Sequence, residues 1–382
     1  MFKIILRTFI TTWIILFSVD SGYCYSTGEN INLTKNKTLL SIKNDESRKI
    51  FLNTSKITNM KNTEQDASTK SAASKIVEKK VTFKSNNITI AAILFYNEAN
   101  FSQSKPGPAI VVGHPGSGVK EQTAGLYAKR LAEKGLIALT FDCAYQGESE
   151  GQPRGLEDPS QRVEDFKAAV SFLTTIKEVD ANNIGVLGIC ASGGYVLAAA
   201  SADHRIKAVA TVSAVDMGRQ FRVGGDGKQD PAVFQHLLDL GAADRTSVAN
   251  GHEEGYLKLF PETGEEARKL GGEHGFEGWE YYCTPRAQNP RSQKYFAYSS
   301  FDRIANFDTF RFVEFISPRP ILMIVGSEAV TAWMTKEAIE KAKEPKEMYV
   351  IDGATHVALY DKDQYVTPAV DKLEAFFDKN LK

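Results

Sequence analysis

The sequence predicts an α/β fold in which a mostly parallel sheet is covered by helices on both faces. From Ile76 onward, strand-like apolar runs alternate with amphipathic segments of helix length, which is the usual pattern of such folds. Residues able to carry chemistry directly follow several of the strand-like runs, where ligands bind in open α/β sheets. One strand-to-strand connection grows to about a hundred residues, a length that indicates a functional or separate subdomain.

The folded part begins with a predicted antiparallel hairpin. Residues 80–84 and 88–96 flank Ser85-Asn86-Asn87, and asparagine tolerates the positive φ of a tight turn. The parallel strands are predicted at residues 109–113, 137–141, 184–187, 208–212, 321–325 and 348–351. Apolar residues at three- and four-residue spacing predict helices at 123–133, 163–176 and 368–381. The long connection, about 217–318, is predicted to form a cap over the site.

The N-terminal part is predicted to lie outside the folded domain of residues 76–382. Residues 1–24 carry Lys3 and Arg7, then an apolar stretch at 9–19, then small and polar residues, which is the layout of a signal peptide. The stretch is shorter than the roughly 20 residues of a spanning helix, so we expect export to the periplasm or medium without a stable membrane anchor. Residues 25–75 are rich in Asn, Lys, Ser and Thr, which predicts a flexible leader.

Charge and cysteine usage narrow the function classes. The 46 basic and 47 acidic side chains nearly cancel, which argues against nucleic acid as the main partner. Removal of Cys24 with the signal peptide leaves Cys143, Cys190 and Cys283, an odd number that predicts at least one free thiol. No metal-ligand spacing, phosphate loop or dinucleotide fingerprint is present in the sequence, so neither a metal nor a cofactor is expected.

The run Gly188-Ile189-Cys190-Ala191-Ser192-Gly193-Gly194 follows an apolar strand and matches a nucleophile elbow, a strained strand-to-helix turn. Cys190 is the favoured apex, because Gly188 and Gly193 then occupy the crowded positions around it. Ser192 is the alternative nucleophile. A buried structural cysteine is the non-catalytic interpretation of the same run.

A histidine suited to act as general base lies near the C-terminus. His356 ends a Gly353-Ala-Thr-His turn after the last predicted strand. A nearby imidazole can lower the pKa of a thiol by stabilising the thiolate as an ion pair. The order nucleophile, acid, histidine is that of α/β-hydrolases.

The acid is less well defined. Glu328 is the only acidic residue in the segment after the strand that precedes the histidine strand, a usual place for it. Asp216, after the preceding strand, is the alternative. A triad without an acid is the third possibility, because a thiolate-imidazolium pair depends less on a third residue than serine does.

An oxyanion hole needs two donors aimed at the substrate oxygen. The backbone N–H of Ala191 is the first. Pro115 has no N–H, so the second must come from Gly116 or Ser117. His114 is expected to support this loop structurally rather than to react.

Four motifs together resemble those of the dienelactone hydrolase-like α/β-hydrolases, in particular the branch that contains polyketide transferases and uncharacterised bacterial proteins. They are the His114-Pro-Gly-Ser-Gly loop, Tyr145-Gln-Gly-Glu-Ser, the Cys190 elbow and Gly353-Ala-Thr-His-Val. The resemblance runs from about Ile76 to the C-terminus. It implies the α/β-hydrolase fold and, by position, a Cys190–His356 pair. The family's aspartate is missing from its loop, where Ala329 and Val330 stand.

The resemblance implies hydrolysis of a carboxylic ester, lactone or thioester through an acyl-Cys190 intermediate, with a small-molecule acyl substrate as the partner. Two alternatives stay open: an acyl transferase, and a non-catalytic ligand-binding protein on the same fold. Within the cap, several aromatic residues are candidates for an acyl pocket or for the cap's own core, and two arginines for a substrate carboxylate or solvated surface. These residues are Trp279, Tyr281, Tyr282, Phe296 and Tyr298, with Arg219 and Arg222.

Overall fold

The structure is a computed structural model and describes residues 75–382. The predicted signal peptide (1–24) and the predicted leader (25–75, except for Lys75) lie outside the described residues.

An eight-stranded mixed sheet forms the centre of the described domain, and a separate two-stranded ribbon accompanies it. The strands are β1 (Ile76–Ser85), β2 (Ile88–Asn97), β3 (Gly107–Gly113), β4 (Ile137–Phe141), β5 (Val179–Ile189), β6 (Ile206–Val212), β7 (Tyr256–Lys258), β8 (Tyr295–Ala297), β9 (Ile321–Gly326) and β10 (Lys346–Ile351). Every strand predicted from the sequence is present. The order in the large sheet is β1-β2-β4-β3-β5-β6-β9-β10.

The pairing directions confirm a mostly parallel sheet with an antiparallel start. β1 pairs antiparallel with β2, and β2 antiparallel with β4. The remaining neighbours in the large sheet are parallel. Asn86 in the hairpin turn has a φ of 50°, the positive φ that its residue type predicts.

Helices pack on both faces of the sheet. They are α1 (Thr123–Glu133), α2 (Pro159–Leu173), α3 (Ala191–Ala202), α4 (Met217–Val223), α5 (Pro231–Ala249), α6 (Gly264–Cys283), α7 (Ser300–Ala305), α8 (Ala332–Lys341), α9 (Ala358–Asp361) and α10 (Asp363–Asn380). α1 packs with α10, and α2 packs with α3. The central strands are buried on both sides, as parallel strands between helix layers must be. This arrangement is the predicted α/β-hydrolase fold.

Two helices differ from their predicted bounds. α2 starts at Pro159 rather than at residue 163, because the Asp158 side chain accepts the N–H groups of Ser160 and Gln161 and thereby caps the helix. α10 starts at Asp363 and continues through Pro368, although that proline was expected to begin the helix.

The connection between β6 and β9 contains α4 to α7, the β7–β8 ribbon and a short 3-10 helix at Val313–Ile316. Its α6 contacts the loop after β3 directly: the Tyr282 hydroxyl donates to the carbonyl oxygen of Gly116 at 3.2 Å. A second contact joins the same loop to the residues before β8, since the Ser292 hydroxyl donates to the carbonyl oxygen of Ser117 at 2.7 Å. The connection therefore lies against the loop in which the sequence predicts an oxyanion donor.

Candidate active site

Cys190 occupies the turn between β5 and α3 with a φ of 55° and a ψ of −118°. Only small neighbours fit around such a turn. A methyl group on Gly188 would lie 2.1 Å from the carbonyl oxygen of Ser192, and one on Gly193 would lie 2.7 Å from Cα of Ala214. The local geometry is therefore that of a nucleophile elbow with the cysteine at its apex.

Ser192 lies below the elbow, within the protein. Its side chain is fully buried, and its hydroxyl donates to the carbonyl oxygen of His114 at 2.6 Å. This hydrogen bond joins α3 to the end of β3. The structure thus places Cys190 at the apex and gives Ser192 a position away from the pocket that Cys190 lines.

The Cys190 sulfur faces two backbone donors. The N–H groups of Ala191 and Gly116 and the Tyr360 hydroxyl lie close enough to the sulfur to favour its thiolate form, and each lowers the pKa of the thiol against the rise that burial causes. The Ser117 hydroxyl instead accepts the backbone N–H of Lys294 at 2.7 Å. The structure therefore brings the N–H groups of Ala191 and Gly116 to the same side of the site as the Cys190 sulfur, where an oxyanion hole would need two donors.

His114 supports the loop that carries Gly116. Its Nε2 accepts the backbone N–H of Cys143 at 3.1 Å, so Nδ1 carries the ring hydrogen and donates to the carbonyl oxygen of Pro115 at 2.7 Å. Burial lowers the pKa of His114 well below its ordinary range. The ring is a neutral, fully buried link between the β3 and β4 loops.

His356 follows β10 and is buried with both ring nitrogens engaged. Nδ1 lies 2.6 Å from the Thr331 hydroxyl oxygen, and Nε2 lies 3.0 Å from the Tyr360 hydroxyl oxygen. Burial raises the pKa of Tyr360, and Cys190 as a close neighbour raises it further, so the Tyr360 hydroxyl lies beside both the thiol and the imidazole. Cys190 and His356 line the same pocket.

Glu328 does not reach His356, contrary to the sequence-based expectation. Its side chain is exposed and accepts a hydrogen bond from the neighbouring Ser327 hydroxyl at 3.3 Å. The chain is buried again at Ala329, and the buried Thr331 lies opposite Nδ1 at the start of α8. A neutral hydroxyl therefore stands where an acid was predicted.

The alternative acid, Asp216, is committed to holding α4. One carboxylate oxygen accepts the N–H of Arg219 at 2.8 Å, and the other accepts the N–H and the hydroxyl of Thr309 at 2.6 and 2.7 Å. Burial raises the pKa of Asp216. Its contacts are those of a helix N-cap that ties α4 to the end of the cap, and none of them involves His356.

Burial decides the charge state of the resting site. It raises the pKa of the Cys190 thiol by more than the three neighbouring donors lower it. It lowers the pKa of His356, and His274 of α6, whose ring centroid lies 5.3 Å away, lowers it further. A thiol and a neutral imidazole are therefore the forms present near neutral pH. The ion pair expected from the sequence is absent from this resting geometry.

Three residues that surround His356 were not predicted from the sequence. Tyr360 stands four positions after His356, which is the spacing of one helical turn and was the only available signal for it. Thr331 and His274 gave no signal, because a threonine before a helix and a histidine in a cap are both ordinary features. Contacts between distant segments bring all three to His356.

Cys190 and His356 open into an apolar cavity of about 30 Å³. Its apolar lining comprises Val215, Met217, Phe221, Leu259 and Phe296. Such a volume holds about two water molecules. Phe296 is the one cap aromatic singled out in the sequence that lines this pocket.

The other predicted cap residues have contacts elsewhere. Trp279 donates to the carbonyl oxygen of Pro261, and Tyr281 packs against Tyr360 with ring centroids 5.1 Å apart. Arg219 pairs with Glu337. Arg222 donates to the carbonyl oxygens of Ala305 and Phe307, while Tyr298 packs on Phe301. These side chains build the cap and its attachment to the sheet domain.

The three cysteines in the described range, Cys143, Cys190 and Cys283, are all unpaired, where the sequence predicted at least one free thiol. Within residues 75–382, no helix has the length and apolar character needed to cross a membrane. The same range holds no group of three or more His, Cys, Asp or Glu side chains arranged to bind a metal ion.

The chain is similar to known proteins in sequence. The family model of the dienelactone hydrolase family matches residues 90–215. The uncharacterised protein YcjY of Escherichia coli is 38% identical over 310 residues, which cover 80% of this chain and 100% of that protein. The acyltransferase drtE of Aspergillus calidoustus is 25% identical, over 81% of this chain and 98% of its own.

A solved structure is also similar. The crystal structure of the hypothetical protein PA2218 from Pseudomonas aeruginosa superposes with a TM-score of 0.74 at 35% identity, covering 81% of this chain and 95% of that one. The strand order, the cysteine elbow and the sequence relatives all lead to the same assignment. The chain belongs to the dienelactone hydrolase family of α/β-hydrolases.

Proposed function

We propose that the protein cleaves a carboxylic ester, lactone or thioester through an acyl-Cys190 intermediate. The observation that carries this proposal is the position of the Cys190 sulfur, which faces the N–H groups of Ala191 and Gly116 inside an apolar pocket shared with His356. Two converging backbone donors beside a nucleophile and a base are what acyl transfer needs.

Acylation begins when the substrate carbonyl oxygen takes the two N–H donors from the sulfur. The sulfur then turns toward the carbonyl carbon, and its proton passes to Nε2 of His356, either directly or through the Tyr360 hydroxyl. The new bond joins Sγ to the acyl carbon, and the bond from that carbon to the leaving oxygen or sulfur breaks. His356 returns the proton to the leaving group, so the charge balance is restored.

The second half of the reaction decides between hydrolysis and transfer. Water activated by neutral His356 releases a carboxylic acid, whereas an alcohol or amine in the same place receives the acyl group. The family name supports hydrolysis, and the similarity to a protein named an acyltransferase supports transfer. We propose hydrolysis as the main activity and transfer as the second candidate.

The acyl-enzyme is the species that tests the proposal. After brief exposure to a panel of activated esters, lactones and thioesters, the intact mass should rise by one acyl group, and peptide mapping should place that group on Cys190. Added alcohol or amine acceptors should yield acylated acceptor only if the enzyme is a transferase. An adduct on another residue, or turnover without any cysteine adduct under acid quench, would contradict the mechanism.

The third member of the site can be identified with a matched pair of variants. Thr331→Val keeps the shape of the side chain but removes the hydroxyl at Nδ1 of His356, so we expect kcat to fall by about tenfold to a hundredfold through loss of ring orientation. Glu328→Gln removes only an exposed charge and should leave kcat within about twofold. Steady-state kinetics on one activated ester measure both. The reverse ranking would restore Glu328 as the partner of His356.

A further inference from the structure

Besides Cys190, His356 and Thr331, the wall of the pocket contains one further polar side chain. Gln220, on α4, is 5% exposed and lines the cavity together with Cys190 and His356. Neither its Nε2 nor its Oε1 atom has a hydrogen-bond partner in the described structure. A primary amide that is buried without partners is destabilising, and proteins rarely retain one without a use for it.

The position of Gln220 is fixed by the contacts of α4. Asp216 caps the helix and binds Thr309, and Arg222 donates to the carbonyl oxygens of Ala305 and Phe307 at 3.0 and 3.1 Å. A methyl group on Gly218 would lie 2.0 Å from the Phe307 carbonyl oxygen, so the helix packs closely on that segment. Contacts before and after Gln220 therefore fix α4 against residues 305–309, which gives the amide a stable position in the pocket wall, as a pre-formed binding group would have.

The chemistry of the wall restricts what can pair with this amide. Its N–H groups need an acceptor, and its carbonyl oxygen needs a donor. A hydroxyl group supplies both through a single oxygen, whereas a ketone supplies only the acceptor. A carboxylate is unsuited, because the lining residues include no lysine or arginine to offset its desolvation. A hydroxyl also fits the small volume.

We propose that Gln220 is a substrate-binding residue that selects acyl groups bearing a hydroxyl near the reacting carbonyl. The inference rests on the proposed function, since it takes the pocket beside Cys190 as the acyl site. It makes hydroxyacyl esters and thioesters the substrate class, ahead of unsubstituted acyl groups of the same length. Sites that hydrogen-bond a substrate hydroxyl discriminate strongly against analogues that lack it.

The test compares matched substrates on the full-length protein. The probes are N-acetylcysteamine thioesters of butanoic and hexanoic acid and both enantiomers of their 3-hydroxy derivatives. The wild-type kcat/KM should favour one 3-hydroxy enantiomer over the unsubstituted ester by about tenfold or more. Gln220→Met, which keeps the length but not the amide, should remove that preference mainly by slowing the hydroxy substrate. Met217→Leu alters the same wall without changing its polarity and should keep the ratio.

Two further readouts separate the possible failures. Gln220→Met should melt at or above the wild-type temperature, because it removes an unpaired buried amide; a clear loss of stability would show that Gln220 serves the fold and would overturn the proposal. Turnover with equal rates for both substrate types would also overturn it while leaving the Cys190 mechanism intact. In the opposite case, the wild type shows no turnover but the Cys190→Ala protein binds the hydroxy thioester more tightly than the unsubstituted one. That result would support recognition of the hydroxyl by Gln220 and would reject the proposed reaction.

Discussion

Replacing Cys190 with alanine is expected to lower the turnover of an activated short-chain ester by about 10⁴-fold or more, since the variant lacks the atom that attacks the carbonyl. The backbone donors of Ala191 and Gly116 remain, so weak binding of the substrate should persist. Initial rates with a chromogenic ester, together with intact-mass detection of the acyl-enzyme, measure the loss.

Ser192→Ala is the matched control for this variant. The serine hydroxyl bonds the carbonyl oxygen of His114 within the interior, so its removal should reduce stability by about 1 kcal/mol while leaving kcat close to wild type. Activity that survives in Cys190→Ala and disappears in a folded Ser192→Ala protein would make Ser192 the nucleophile.

Loss of His356 has the second largest expected effect. His356→Gln preserves a polar side chain but removes the group that takes the thiol proton, and we expect kcat to fall by about 10³- to 10⁴-fold. The loss should be this large because burial raises the pKa of Cys190, so the thiol does not ionise without a base near neutral pH. Circular dichroism and a melting curve serve to confirm that the variant is folded.

The pH dependence of the wild type follows from the same burial. The pKa of His356 is lowered from its ordinary 6.5, so the neutral base persists as the pH falls. The acidic limb of kcat/KM should therefore have its midpoint below 6.5. Alkylation of Cys190 by iodoacetamide should be slow at pH 7 and accelerate only toward and above the ordinary thiol pKa of 9.0, because that pKa is raised. An acidic midpoint above 6.5 with fast labelling at pH 7 would indicate an ion pair instead.

The elbow could be predicted from the sequence because it is a local feature. Gly188, Cys190 and Gly193 lie within six consecutive residues, and the crowding that requires the glycines arises within that turn. His356 was found for a similar reason, since it ends a short turn directly after a strand. The partner of its Nδ1 atom could not be predicted, because the type of a residue does not show which way its side chain points. Glu328 has the expected chemistry but faces solvent, and Thr331 faces the ring.

The sequence by itself therefore determined the sheet, the apex cysteine and the histidine, all of which depend on short-range periodicity, turn sterics and chain order. Only the tertiary structure decided which groups surround them. It placed the Tyr360 hydroxyl beside both the thiol and the imidazole, set Thr331 against Nδ1, and buried the thiol and the imidazole so that neither is charged at rest. It also left the amide of Gln220 buried in the pocket wall. Burial and contacts between distant segments control these properties, because the dielectric around a side chain and the neighbours it meets are set by how the whole chain packs.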